Sequence, residues 1–174
     1  MDSVKLQLPD LYLRTPSSNL QTTVDMELNA FADKNPGKLM AQVHGTMGRP
    51  DLFLFIGDAL PKPMKNHWPF YPMQVDGSFI GNMQRASFSG LKVILPTAFN
   101  LNADGYVANL TDMSQFRANV DLKMKTYNLG FITAMLDPSL MREIRVPSGI
   151  GIRGNVKVDG SKYATRLAIS EGKG

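Results

Sequence analysis

The chain of 174 residues contains no cysteine. Disulfides and thiolate metal sites are excluded, and the fold must hold by packing and hydrogen bonding. Histidine is nearly as scarce. His44 and His67 are the only two, and neither belongs to a His/Asp/Glu cluster with metal-ligand spacing, so no metal centre is expected. No apolar run approaches the roughly 20 residues that span a bilayer. Runs of like charge are missing too. The 19 basic and 15 acidic residues leave a net charge of +4 spread along the chain, which gives no nucleic-acid footprint. Helical periodicity is rare.

What the chain has in abundance is alternation at period two. Leu20, Thr22, Val24, Met26 and Leu28 share one face, and Gln21, Thr23, Asp25, Glu27 and Asn29 share the other. The pattern returns at 39–47, 73–79, 91–95, 99–107, 116–124, 150–158 and 163–169. Val4, Leu6 and Leu8 begin another such segment, which Pro9-Asp10 interrupts before Leu11–Leu13. Asn35-Pro36-Gly37 and Asp159-Gly160 supply turn chemistry. The expected class is all-β: about nine strands in a strongly curved, mostly antiparallel sheet, with one or two short helices. A sheet with one apolar side must bury it against itself, a partner or a ligand.

Two stretches break the rhythm. Residues 51–72 hold the continuous apolar run Leu52–Ile56, then Leu60-Pro61-Lys62-Pro63, then the aromatic connection His67–Pro72. An irregular crossing segment or plug is expected there, with its prolines outside regular structure. Residues 128–143 predict a short helix, capped by Asn128 and carrying Leu129, Ile132, Leu136 and Leu140. Gly45, Gly77, Gly105 and Gly154 sit inside strand patterns on the apolar face. Glycine at such positions marks a bend, a bulge or a close approach, and predicts curvature.

Searches for chemistry return little. His44 lies on a polar strand face, and Asp25, Glu27, Asp121 and Lys123 alternate onto outward faces as solvated decoration. Ser148–Gly154 is glycine-rich but lacks the strand–loop–helix context of a phosphate cradle. Asn109-Leu110-Thr111 matches a glycosylation acceptor by three residues only. Trp68, Phe70 and Tyr71 lack the interleaved cations of a base-stacking platform. Neither an enzyme nor a cofactor is expected.

Three segments carry a resemblance. Pro9-Asp10-Leu11-Tyr12-Leu13-Arg14-Thr15-Pro16 is one. Leu95-Pro96-Thr97-Ala98-Phe99, leading into Ala103-Asp104-Gly105, is the second. Val146-Pro147-Ser148-Gly149-Ile150 with Gly154, ending in Ser170-Glu171-Gly172-Lys173-Gly174, is the third. Together they resemble the AsmA/TamB-like family, in its Bacteroidetes-type translocation and assembly module form. The resemblance implies a β-taco, an elongated trough with an apolar interior. It implies a periplasmic protein anchored in the inner membrane, similar to eukaryotic bridge-like lipid transfer proteins. Such proteins are associated with phospholipid movement between inner and outer membranes and with outer-membrane biogenesis. The chain would then be one β-rich segment, 1–174, of a larger protein. Its partners would be phospholipid or another acyl-chain lipid and neighbouring segments of the same chain, with an outer-membrane barrel partner for the full-length protein. The resemblance brings no catalytic residues.

On that basis the expected lipid-groove lining is Val24, Met26, Val43, Val75, Phe79, Val93, Leu101, Val107, Val120, Leu122, Ile152, Val156, Leu167 and Ile169. Two other architectures fit the same alternation. One is a structural or adhesion-type β-sandwich that binds protein or glycan through its loops. The other is a closed, lipocalin-like barrel around one small ligand.

Overall fold

The alternating segments become nine strands: β1 (Lys5–Arg14), β2 (Asn19–Glu27), β3 (Leu39–Met47), β4 (Met73–Gly81), β5 (Arg85–Leu95), β6 (Phe99–Ala108), β7 (Arg117–Thr126), β8 (Ile150–Asp159) and β9 (Lys162–Glu171). The computed structural model describes residues 4–171 apart from 33, 83, 110, 111, 113, 129 and 135–148. Every pairing is antiparallel, and spatial order repeats sequence order from β1 to β9. β1 and β9 are the two edges and do not meet, so no barrel closes. Among the described residues no second sheet packs on the first, so the architecture is not a sandwich. The fold is all-β, a single open antiparallel sheet.

Register irregularities between Leu8 and Leu11, Asp76 and Ser78, and Phe88 and Leu91 bend and coil this sheet. The first of them corrects an expectation. Pro9-Asp10 does not divide two segments, because β1 is an edge strand where a missing N–H forfeits no ladder bond. The Pro9 carbonyl instead accepts the Thr23 hydroxyl at 2.8 Å.

Residues 51–72 are also more regular than their prolines suggest. They fall in helix α1 (Arg49–Ile56), a 3₁₀ turn (Gly57–Ala59) and helix α2 (Lys62–His67). Pro50 and Pro63 each stand in a first helical turn, where an N–H would have no partner anyway. A third, one-turn helix, α3, spans Gly130–Thr133. The Asn128 side chain accepts the N–H of Gly130, the first residue of α3, at 2.8 Å, an Asx turn that leads into the helix. The remainder of the expected 128–143 helix, from 135 onward, lies outside the described residues.

An up-and-down meander puts alternate connections at opposite ends of the sheet. The β3–β4 and β7–β8 connections, which carry α1, α2 and α3, share one end. There Leu52, Trp68 and Phe131 bury themselves against Leu95 and Ala98, with Met47, Met73 and Phe99 packed alongside. The Trp68 ring meets Phe53 and Phe131 edge-on, at centroid distances of 6.0 and 5.1 Å. Asp51 ties α1 to the β1–β2 turn by accepting the hydroxyls of Thr15, Ser17 and Ser18. Those hydroxyls, Ser17 first, hold its carboxyl below the ordinary value. The helices thus cap one end of the sheet, and do not cross or plug its length.

A compact monomer of 19.2 kDa exposes about 8,400 Å². This chain exposes 12015 Å². Among the described residues no layer covers most of the sheet.

Candidate functional site: an uncovered apolar sheet face

Cross-strand partners share a sheet face, so the register decides whether nine alternating strands make nine stripes or one surface. Here they make one surface. A row crosses the sheet through Leu13, Leu20, Gly45, Val75, Val93, Leu101, Met124, Ile152 and Ile169. Beside it run Leu11, Thr22, Val43, Gly77, Leu91, Ala103, Leu122, Gly154 and Leu167. A third row holds Leu8, Val24, Ala41, Phe79, Phe88, Gly105, Val120, Val156 and Thr165. The fourth holds Leu6, Met26, Leu39, Gly81, Ala86, Val107, Ala118, Val158 and Tyr163. No charged side chain interrupts these rows.

All fourteen expected lining residues fall in them. None is buried: twelve are half-buried, and Leu167 and Ile169 are 47% and 70% exposed. Half-burial has a simple origin. Each side chain touches neighbours in its own sheet, while its outer side meets no second layer among the described residues. Comparison with protein-family models, with characterised proteins and with solved structures finds no match for this chain.

The four expected curvature glycines all lie in the rows. Gly45 shows what glycine provides. Its φ of +146° is closed to ordinary side chains, and an added Cβ would overlap the Asn19 carbonyl oxygen of the adjacent strand. Added Cβ atoms at Gly105 and Gly154 would likewise strike the neighbouring strand's backbone, at Asn119 and Arg166. Gly77 is different: its Cβ would meet Leu91 at 3.2 Å. Gly81, in the fourth row with φ +152°, belongs with Gly45 and escapes sequence inspection because it abuts the β4–β5 turn. The same rows add Leu6, Leu8, Leu11, Leu13, Leu39, Leu91 and Val158, which alternation alone reveals once the register is known.

Other sequence candidates disperse. His44 Nδ1 pairs with Asp76 Oδ2 at 2.7 Å on the polar face. His67 Nδ1 lies 2.9 Å from the Pro63 carbonyl oxygen. Trp68 is buried in the capping core while Phe70 and Tyr71 are exposed, so the three build no common platform. Asp121 accepts Asn155 Nδ2 at 2.9 Å. Among the described residues no group of His, Asp and Glu can hold a metal, and no helix is long and apolar enough to cross a membrane.

The polar face has a feature of its own. A cavity of about 630 Å³ opens across β6 to β9, with Asn100, Asn102, Lys123, Lys125, Arg153 and Ser170 in its wall beside Met124, Ile152 and Ala168.

Proposed function

We propose that this chain is a segment of a periplasmic, inner-membrane-anchored lipid transfer protein of the AsmA/TamB-like kind. Its apolar face carries phospholipid acyl chains between the inner and outer membranes and so supports outer-membrane biogenesis. The supporting observation is the four-row apolar surface, continuous across nine strands and, among the described residues, uncovered over most of its extent.

Dimensions favour an elongated apolar occupant. Nine strands about 4.8 Å apart make a face roughly 38 Å long, and four rows about 7 Å apart make it some 20 Å wide. That is about 760 Å², beyond the few hundred Å² of apolar patch on an ordinary monomer. A methylene removed from water gains about 0.8 kcal/mol, so a dozen of them hold a chain without a polar anchor. Rows of Val, Leu, Ile, Ala and Gly differ little from strand to strand. An acyl chain shifted by one strand exchanges one aliphatic contact for another, which makes sliding cheap.

Native mass spectrometry of the full chain, purified gently from a Gram-negative host, tests this. Phospholipid adducts are expected on the wild type. They should be lost from Val120→Asp, which puts a carboxylate in the middle of the third row while the fold survives. A wild-type chain that is lipid-free, and that a photoreactive acyl probe labels nowhere on the four rows, would sink the proposal. Binding of a protein or glycan at the connecting loops would then become the reading to pursue.

A further inference from the structure

The 630 Å³ cavity opens mainly on the polar face, where Asn102, Lys123, Arg153 and Ala168 stand in register, and it touches the first apolar row only at Met124 and Ile152. Its composition is lopsided. Lys123, Lys125 and Arg153 line it together with Asn100, Asn102 and Ser170, beside apolar surface from Met124, Ile152 and Ala168, and among the described residues no carboxylate does. Register concentrates the charge: Lys123 stands directly opposite Arg153, with Asn102 on its other side, and Lys92 flanks Asn102 from β5. Like charges directly opposite each other in a sheet repel, and no ion pair relieves these three cations among the described residues.

The nearest carboxylates on that face are otherwise engaged. Asp121 accepts Asn155, and Asp104 accepts the Gly90 N–H at 2.7 Å. The Lys125 ammonium sits 5.4 Å from the centre of the Tyr127 ring, and the Tyr127 hydroxyl accepts Asn100 Nδ2 at 3.3 Å. Three cationic residues, Lys123, Lys125 and Arg153, thus line one cavity with no carboxylate among its described lining residues.

We infer that this cavity binds a phosphate-type anion. Arg153 suits it as a planar fork of donors, while Lys123 and Lys125 supply point charge. Such a group can come from a soluble phosphate compound or from a phospholipid headgroup at a membrane surface.

The test uses the full ¹⁵N-labelled chain. Titration with inorganic pyrophosphate should shift the amide signals of Gly151 and Arg153. Lys123→Gln with Arg153→Gln should weaken binding about tenfold for each cation removed. The pair Lys38→Gln with Lys62→Gln changes net charge equally but away from the cavity, and should leave binding intact. Flotation with phosphatidylcholine vesicles, with and without phosphatidic acid, identifies the source. Capture only by phosphatidic acid vesicles assigns the headgroup, and no capture alongside pyrophosphate binding assigns a soluble phosphate. Neither pyrophosphate shifts nor vesicle capture, or equal weakening by the two variant pairs, overturns the inference. Acyl-chain loading by the cavity variant should match wild type, so the two proposals stand or fall separately.

Discussion

Leucine appears on the apolar face at three depths of cover, and this makes a graded test of how open that face is. Leu95 is fully buried under the helical cap, Leu122 is half-buried in mid-sheet, and Leu167 on the edge strand is 47% exposed. All three alternate onto the same side, so truncation to alanine removes the same atoms from three environments. At Leu95 the loss includes both transfer of the side chain and an unfilled cavity, about 3–4 kcal/mol. At Leu167 about half of a 2 kcal/mol transfer term is at stake and no cavity forms, so about 1 kcal/mol is expected. Leu122 should fall between, at roughly 1.5–2 kcal/mol.

For a chain of this size each kcal/mol moves Tm by about 2–4 °C. Thermal melting followed by circular dichroism should therefore rank the variants Leu95→Ala, Leu122→Ala, Leu167→Ala, with drops near 10, 5 and 3 °C. Delipidated protein is the right sample, because a bound lipid would restore cover to the last two positions. Equal drops at Leu95 and Leu167 in that sample would refute the reasoning, since they would mean that a second layer covers the whole face. Adding phospholipid should then raise the wild-type Tm by mass action, less so for Val120→Asp.

Three further outcomes are expected. Asp51 has its carboxyl held low by hydroxyls, so its contribution is fully present above about pH 4 and is lost as pH falls through the folded-state value; the Tm gap between wild type and Asp51→Asn should close as pH is taken down through 4 to 2. Gly45→Ala combines a φ that side chains avoid with an overlap on the Asn19 carbonyl, and should cost at least about 2 kcal/mol in a denaturant melt, far above the few tenths typical of a surface alanine. Lys123→Gln removes the direct opposition to Arg153 and should raise Tm by about 1–3 °C, while the same change weakens anion binding; a fall in Tm would show that the two cations do not repel.

The strands were legible because period two survives wherever one face is apolar, and Phe116–Met124 reads as a strand with no knowledge of its neighbours. The capping core was not legible. Its members, Leu52, Trp68, Leu95, Ala98 and Phe131, come from three separated connections, and the prolines that argue against regular structure at 60–63 in fact start a helix. Pro9 reads as a break in β1 because the penalty for proline depends on whether a strand is central or at an edge, which only the topology decides. The apolar rows were readable as a set of residues but not as a surface. Their continuity needs eight registers to agree, and a slip of one residue in any pairing would turn that strand's apolar side outward. The cationic cavity depends on register still more strongly. Lys123 and Arg153 face each other across β7 and β8, whose connection of more than twenty residues fixes no pairing by turn geometry.

The two faces and the two edges of this sheet ask for different partners. Backbone donors and acceptors along the interior strands are consumed by the ladder, so an occupant of the apolar face gains nothing from hydrogen-bonding groups and loses by having to desolvate them. Among the described strands, β1 and β9 are the edges, and a partner that adds a strand must go to an edge. The polar face instead offers charge, most of it positive at the cavity lined by Lys123, Lys125 and Arg153. An acyl chain, with no polar atom along its length, is suited to the uncovered face by the same physics that makes it a poor ligand everywhere else on this protein.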